Sequence, residues 1–313
     1  MLDPQAAALI ALMKERQVPP VHTLTPVEAR RAYRDRRSFT QPEPAPVGEV
    51  QNLATDGGVP LRLYRPLGKG IKPVLVYFHG GGWTIGDLDT HDVLCRDLCA
   101  AADVAVVSVD YRLGPEARFP AAVDDSVAAT RWVQNHGAAL GLDTMRLAIG
   151  GDSAGGNLAA VVAIMLRDAR DPAPVFQLLI YPATDQRAGA PSHTHNGQGY
   201  LLTNDSIRYY WGNYQGSADD ASDWRASPLL TPDLSGLPPA LVLTAGYDPL
   251  VDEGLQYADA LSAAGNRATY LCFQRQLHGF ITMGRLIDEA NTAVAVCAAA
   301  LRQAFTQAPA ATA

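Results

Sequence analysis

From residue 46 onward, short apolar runs alternate with longer segments in which apolar residues recur every three or four positions. Two of the runs, GEVQNLA and PLRLYRP, flank the turn sequence TDGG and predict an antiparallel pair. The later runs are almost continuously apolar, which is typical of parallel strands covered by helices on both faces: PVLVYF, VAVVSVDY, RLAIGG, VFQLLIYP, ALVLTAG and ATYLCF. The pattern therefore predicts an α/β fold with about eight mostly parallel strands in one sheet.

Two segments depart from this alternation. Residues 1–45 carry two helical patterns, the second of which, TPVEARRAYRDRR, begins with a capping threonine and a glutamate three positions later. Residues 183–228 are too long for an ordinary connection, and they follow a strand at the edge where ligands bind in such sheets. We predict that both segments form a helical lid, with the apolar positions of residues 1–45 packed on the insertion. Residues 46–182 and 229–313 then form the α/β domain.

Composition and charge narrow the class of protein. Of the 313 residues 48% are apolar and 18% charged, which is typical of a globular chain, and the net charge of -7 argues against nucleic acid as a partner. No window approaches the roughly 20 apolar residues of a membrane span, and the first residues do not resemble a signal peptide. Four dispersed cysteines predict free thiols, not a disulfide scaffold or a metal site. These features predict a cytoplasmic protein.

The stretch GGDSAGGNLA places a serine between a predicted strand and a predicted helix. Gly151, Ser153 and Gly155 form a G-x-S-x-G motif, and the strand–turn–helix context gives that motif its catalytic meaning. A glycine-rich turn capped by serine is the alternative interpretation. We predict that Ser153 is a nucleophile and that Asp152 fixes the backbone of its turn.

A serine hydroxyl needs a base and a group that orients the base. His278 follows the last predicted strand, and Asp248 follows the strand before it. The order Ser153, Asp248, His278 is that of the α/β-hydrolase triad, with each residue after its own strand. Asp252 and Glu253 begin the next predicted helix, where acidic groups suit the helix dipole, and they are the alternatives for the acid.

Three consecutive glycines follow the run PVLVYF, and a packed strand gives no reason for them. When a serine attacks an acyl carbon, the carbonyl oxygen gains negative charge that backbone N–H groups can stabilise. Gly80, Gly81 and Gly82 can supply such donors without obstruction by side chains, and Ala154 can supply another. His79 is expected to brace this glycine loop, residues 80–82, without taking part in the chemistry.

The chain resembles the hormone-sensitive-lipase-like family of α/β-hydrolase esterases along nearly its whole length. The resemblance lies in HGGGW at 79–83, DYRLGPE at 110–116, GDSAGG at 151–156, YDPLVDEG at 247–254 and HGF at 278–280. It implies an oxyanion hole at Gly81, Gly82 and Ala154, and a lid built from the first helical segment and an insertion before the penultimate strand. Gly114 stands where the family usually has alanine and Val251 where it usually has arginine.

These features predict a serine carboxylesterase that hydrolyses short- to medium-chain esters through an acyl-enzyme, with no metal or organic cofactor. Its expected partner is a small-molecule ester; a homodimer is left open. An amidase, peptidase or acyltransferase could use the same triad with another leaving group or acceptor. A small-molecule receptor on the same fold is a further alternative, although such proteins typically lack the histidine base.

Overall fold

The structure is a computed structural model that describes residues 1–308. Within these residues the predicted sheet is present as a single sheet with eight strands. Their bounds agree with the apolar runs of the sequence: β1 Glu49–Ala54, β2 Pro60–Arg65, β3 Lys72–Phe78, β4 Ala105–Val109, β5 Leu142–Asp152, β6 Phe176–Ile180, β7 Ala240–Tyr247 and β8 Ala268–Leu277.

The strand order is β1-β2-β4-β3-β5-β6-β7-β8, with β8 at one edge of the sheet. The antiparallel pair predicted around TDGG is confirmed, since β1 runs antiparallel to β2 with Ala54 opposite Pro60. Strand β2 also runs antiparallel to β4, whereas β3 to β8 are all parallel. The carboxyl ends of β3, β5, β7 and β8 therefore lie at the same end of the sheet. Ligands of open α/β sheets bind at this end.

Helices connect the strands and form the segments outside the sheet. The capping box predicted at the second helix is present, because Thr25 Oγ1 accepts from the N–H of Glu28 and the Glu28 carboxylate accepts from the N–H of Thr25 at 2.9 Å. In the described part of the chain, no helix is both long and apolar enough to cross a membrane. The helices are α1 Pro4–Glu15, α2 Pro26–Thr40, α3 Asp92–Ala102, α4 Ala121–His136, α5 Ala154–Ala169, α6 Ser192–His195, α7 Asn204–Tyr214, α8 Val251–Ala263 and α9 Asp288–Gln307.

Alternation along β3 divides the hydrophobic core into two layers. Val74, Val76 and Phe78 belong to the layer that contains buried residues of α4, α5 and α8. Leu75 and Tyr77, which point to the other face, belong to the layer that contains buried residues of α3 and α9. All five side chains are fully buried, as the continuous apolar run predicts for a strand covered on both sides.

The first helix lies elsewhere than the sequence predicts. We expected its apolar side to pack on the insertion, but Leu9 belongs to the core layer of α3 and α9. Its start is also held there, because the N–H of Asp3 donates to the carbonyl of Arg275 at 2.9 Å and the Gln5 side chain bonds to Asp288. The sheet offered an uncovered apolar surface beside β8 and α9, and helical periodicity alone does not say which surface an amphipathic helix covers.

Candidate active site

Ser153 stands alone between β5, which ends at Asp152, and α5, which begins at Ala154. Its backbone has φ 56° and ψ −118°, a conformation that L-residues rarely adopt. Such strain is typical of the nucleophile turn in this kind of sheet, because it lifts the hydroxyl out of the turn. A β-carbon at Gly155 would lie 1.8 Å from the carbonyl oxygen of Phe78, so the helix can approach β3 this closely only with glycine at that position.

Strand pairing brings the predicted acid and base together. Tyr247 at the end of β7 and Leu277 at the end of β8 are register partners, so the next residues, Asp248 and His278, lie side by side. The Nδ1–H of His278 donates to Asp248 Oδ2 at 2.6 Å, and the Ser153 hydroxyl donates to His278 Nε2 at 2.9 Å. Asp248 is completely buried, and 12% of the His278 side chain is exposed. The geometry joins the three residues in one chain of hydrogen bonds.

The glycine loop offers fewer free donors than the sequence allowed. The N–H of Gly80 donates to the Asp152 carboxylate at 3.0 Å, so it is already used inside the protein. Among the described residues, the N–H groups of Gly81 and Gly82 donate to no protein acceptor. Ala154 is the first residue of α5, where a backbone N–H has no partner within the helix. The N–H groups of Gly81, Gly82 and Ala154 therefore stay the candidate donors.

No side chain fits at the last two glycines of the loop. Gly81 has φ +126° and Gly82 has φ +58°, and both values lie in the region that favours glycine. A β-carbon at Gly81 would lie 2.2 Å from the carbonyl oxygen of Ile85, and one at Gly82 would lie 2.3 Å from the ring of Tyr210. The ring of Tyr210, from α7, thus packs directly on the loop. At Gly80 a β-carbon would lie 2.3 Å from Asp152 Oδ2, so close neighbours leave no room for a side chain at any of the three consecutive glycines.

Asp152 holds the glycine loop to the serine turn. Its carboxylate accepts hydrogen bonds from the Tyr77 hydroxyl at 2.8 Å and from the N–H of Gly80, and His91 Nε2 lies 3.3 Å from it. Burial opposes ionisation, but the neighbouring His91 and these hydrogen bonds outweigh it and lower the pKa of Asp152. The sequence indicated this bracing role for Asp152 but gave no partner for His91.

His79 braces the same loop at Gly80, as its position in the sequence suggested. Its Nδ1–H donates to the carbonyl of Gly80 at 2.9 Å, and its ring stacks on Tyr111 with centroids 4.3 Å apart. The Tyr111 hydroxyl in turn donates to the carbonyl of His79 at 2.6 Å. Burial and the neighbouring His91 lower the pKa of His79 to about 4. A neutral imidazole therefore supports the loop at neutral pH.

Sequence reasoning missed a buried contact between His193 and Glu253. His193 of α6 donates from Nε2 to the Glu253 carboxylate at 2.9 Å. The other carboxylate oxygen of Glu253 accepts from the N–H groups of Thr184 and Asp185 at the start of the insertion. Burial disfavours the charged imidazole, but the bond to Glu253 outweighs it and raises the pKa of His193. Glu253 thus anchors the insertion instead of facing solvent at a helix start.

Helix α6 also holds the loop that carries Asp248. The Ser192 hydroxyl donates to the carbonyl of Pro249 at 2.5 Å, and Asn196 Nδ2 donates to the carbonyls of Gly246 and Asp248, each at 3.1 Å. The residue pattern of the insertion gave no signal for these contacts, because they depend on where the short helix lies against β7.

The last aromatic residue of α7, Tyr214, packs against the loops that follow β3 and β4. Tyr214 stacks on Trp83, directly after the glycine loop, with centroids 4.3 Å apart and rings 7° from parallel. Its carbonyl accepts from the N–H of Phe119 at 2.7 Å. The insertion is thereby docked on the loop that follows β3 and on the loop that follows β4.

Comparison with known proteins identifies the family of the chain. The family described as the alpha/beta hydrolase fold matches residues 75–282. The carboxylic ester hydrolase LipN of Mycobacterium tuberculosis is 49% identical over 78% of this chain and 64% of its own length. The ethyl acetate hydrolase of Pseudomonas putida is 38% identical over 96% of this chain and 99% of its own length.

A solved structure extends the likeness to the backbone. The ester hydrolase EH1AB1, from the metagenome of Lake Arreo, superposes with a TM-score of 0.94 and is 42% identical, covering 98% of this chain and 100% of its own. The likeness includes both segments outside the sheet, because almost all of each chain is matched. The chain belongs to the α/β-hydrolase family, in the hormone-sensitive-lipase-like group of carboxylic ester hydrolases.

Proposed function

We propose that Ser153, His278 and Asp248 carry out ester hydrolysis in this protein. The single observation that carries the proposal is the hydrogen-bonded chain from the buried Asp248 through His278 to the strained Ser153. Ser153 Oγ attacks the ester carbonyl carbon while His278 Nε2 takes the hydroxyl proton. His278 then gives that proton to the departing alcohol oxygen, which leaves an acyl-serine. Asp248 holds the imidazole in the productive tautomer and stabilises its positive charge.

The second half of the cycle uses the same groups. A water molecule gives a proton to His278 Nε2 and attacks the acyl carbon, and the returning proton restores the Ser153 hydroxyl as the acid leaves. The N–H groups of Gly81, Gly82 and Ala154 are proposed to stabilise the negative oxygen in both steps. This role is supported for Gly81 and Gly82 because their N–H groups have no protein acceptor among the described residues.

The substrate proposed is a soluble ester with a short to medium acyl chain. Aromatic residues of the insertion lie directly on the glycine loop, which limits the room beside the reacting carbon. One relative of nearly equal length bears the name ethyl acetate hydrolase. Ethyl acetate is an ester with a short acyl group. Residues 1–45 and 183–228 are proposed to act together as a lid over this site.

The test is a rate profile over p-nitrophenyl esters of graded acyl length, with a p-nitroanilide of the best acyl group included. We expect kcat/KM to peak at short or medium chains and the anilide to be inert. A profile that rises toward long chains would contradict the substrate class, and rapid anilide hydrolysis would favour the amidase alternative. Binding of these compounds without turnover would favour the receptor.

We also propose that the protein is cytoplasmic and forms a homodimer. All four cysteines are free, and three of them are buried, which suits a reducing compartment. Strand β8 has no neighbouring strand on its outer side in the described sheet, and such an edge can pair with another chain. Light scattering after gel filtration tests the assembly, and a monomeric mass would contradict it.

A further inference from the structure

Three side chains of α2 and that of Gln41, the residue after its end, form a row that faces the segment after the glycine loop. Residues 30, 34, 37 and 41 are spaced so that they share one side of the helix. Arg34 pairs with Asp87, Arg37 donates to the carbonyl of Asp89, and Gln41 Nε2 donates to the carbonyl of Thr90 at 2.7 Å. Helix α2 is therefore fastened along the whole segment 84–90.

Arg30 makes the contacts that lie nearest the glycine loop. Its Nε donates to the carbonyl of Thr84 and one Nη to the carbonyl of Gly114, both at 2.8 Å. Both Nη atoms also bond to the Glu116 carboxylate, at 2.8 and 2.6 Å. The guanidinium is a planar fork, so these bonds fix the relative positions of the groups it joins.

The two residues whose carbonyls accept from Arg30, Thr84 and Gly114, are both linked to Trp83, the residue after the glycine loop. Thr84 is two residues after Gly82, and the N–H of Gly114 donates to the carbonyl of Trp83 at 2.8 Å. Arg30 is thus linked to Trp83 by two routes, through its chain neighbour Thr84 and through Gly114. After the loop, the N–H groups of Thr84 and Ile85 donate back to the carbonyl of Gly81 at 3.1 and 3.0 Å.

The glycine loop depends on such external supports. Oxyanion donors stabilise a transition state only if they are already oriented when charge develops. Glycine has the largest conformational freedom of any residue and no side chain to restrain it. The orientation of the Gly81 and Gly82 N–H groups must therefore come from what holds the neighbouring carbonyls.

We propose that Arg30 is a positioning residue for the oxyanion donors, so that helix α2 serves the chemical step besides covering the site. The proposal rests on the proposed function, because it takes Gly81 and Gly82 to be those donors. It assigns a role to a residue of the amino-terminal segment that no catalytic motif contains. Arg30 touches neither substrate nor the reacting atoms.

The test compares Arg30→Ala with Arg31→Ala, which removes the neighbouring arginine. Arg31 is 85% exposed and lies 3.8 Å from Asp35 of its own helix, so it matches Arg30 in charge and helix position without contacting the loop. Three quantities are measured: kcat and KM on the best p-nitrophenyl ester, and the inhibition constant of a trifluoromethyl ketone. The serine oxygen adds to the carbonyl carbon of the ketone and forms a hemiketal oxyanion. This oxyanion needs the same N–H donors as the transition state of ester hydrolysis.

Arg30→Ala should lower kcat about 10- to 100-fold, less than the loss of a whole oxyanion donor, and should weaken the ketone by a similar factor. KM should change much less, and Arg31→Ala should match the wild type in all three quantities. Unchanged kcat and ketone affinity in a folded Arg30→Ala protein would overturn the proposal. A rise in KM alone would also overturn it, since that result indicates a wall of the binding site.

Arg30→Lys provides the same test if Arg30→Ala does not fold. Lysine keeps the charge but cannot bond to Thr84, Gly114 and Glu116 together. A smaller loss of kcat and of ketone affinity is expected, and wild-type values would overturn the proposal. Failure of the proposed function itself looks different, because a fluorophosphonate would then not label Ser153 in the wild-type protein.

Discussion

Two groups of residues flank Ser153, and one presents side chains whereas the other presents backbone N–H groups. On one side lie the side chains of Asp248 and His278, each at the end of its own strand. On the other side Gly81 and Gly82 have only backbone N–H groups to offer, and Asp152, His79, Arg30 and Tyr210 contact the glycine loop or the residues next to it. The side-chain half can be recognised from residue types, whereas the backbone half depends on neighbours that are distant in sequence.

The largest effect is expected at the side-chain half. Ser153→Ala removes the nucleophile and leaves the backbone donors in place, so kcat should fall by about 10⁴- to 10⁶-fold while substrate binding is kept. Steady-state kinetics on the best p-nitrophenyl ester measures this. A variant that keeps a tenth of the activity would exclude this serine as the nucleophile, and mass spectrometry of the fluorophosphonate-labelled wild type should find the label at Ser153 alone.

Asp248→Asn tests the same half one residue further back. Asparagine keeps the shape but favours the wrong imidazole tautomer, so kcat should fall by a factor on the order of 10⁴. The matched control is Asp252→Asn, because the Asp252 carboxylate accepts from the N–H of Ser192 and lies outside the hydrogen-bonded chain. Near-complete activity in Asp248→Asn, together with loss in Asp252→Asn, would exchange their roles.

Gly81→Ala tests the backbone half. The new β-carbon would lie 2.2 Å from the carbonyl of Ile85 at a φ of +126°, so the loop must shift and its donors must turn. We expect kcat to fall by about 10²- to 10³-fold, as for other losses of an oxyanion donor, and the trifluoromethyl ketone to lose affinity in parallel. Fluorophosphonate labelling of Ser153 should become slower but still reach completion, because His278 and Asp248 remain in place.

The control for that change is Gly212→Ala in the exposed part of α7. A β-carbon at Gly212 would meet no atom within 4 Å, and alanine is the better helix former. This variant should keep wild-type kcat and melt at the same temperature or slightly higher. Equal losses in Gly81→Ala and Gly212→Ala would mean that the glycine loop has no special role.

Sequence patterns predicted the sheet and the side-chain half for physical reasons. Continuous apolar runs identify buried parallel strands, and parallel strands place their carboxyl ends together, so Asp248 and His278 had to lie near Ser153 if the strand order was right. The G-x-S-x-G motif has few alternative explanations between a strand and a helix. The triad geometry needed no information beyond strand ends and residue types.

The remaining parts depend on contacts that no local pattern encodes. Arg30 is one of several arginines in a helix rich in them, and only the position of α2 distinguishes it from Arg31. His193 and Glu253 lie in separate segments, and neither has a motif that predicts a buried pair. Leu9 was placed on the wrong surface for the same reason, because an apolar helix face does not specify its partner.

The smallest expected effect is a change in the free energy of unfolding in acid, and it concerns His79, which contacts the glycine loop. The pKa of His79 is about 4 in the folded protein, below the usual 6.5 of histidine, because of burial and the neighbouring His91. Between these two values the unfolded chain binds more protons than the folded one, so the free energy of unfolding decreases as the pH is lowered from 6.5 to about 4. His79→Asn keeps a donor for the Gly80 carbonyl but cannot gain the proton. The wild type should therefore be the more stable protein at pH 7, through its stacking on Tyr111, and lose that advantage progressively in acid. Urea unfolding of both proteins at a series of pH values measures the difference, and a constant difference would show that His79 does not carry this titration.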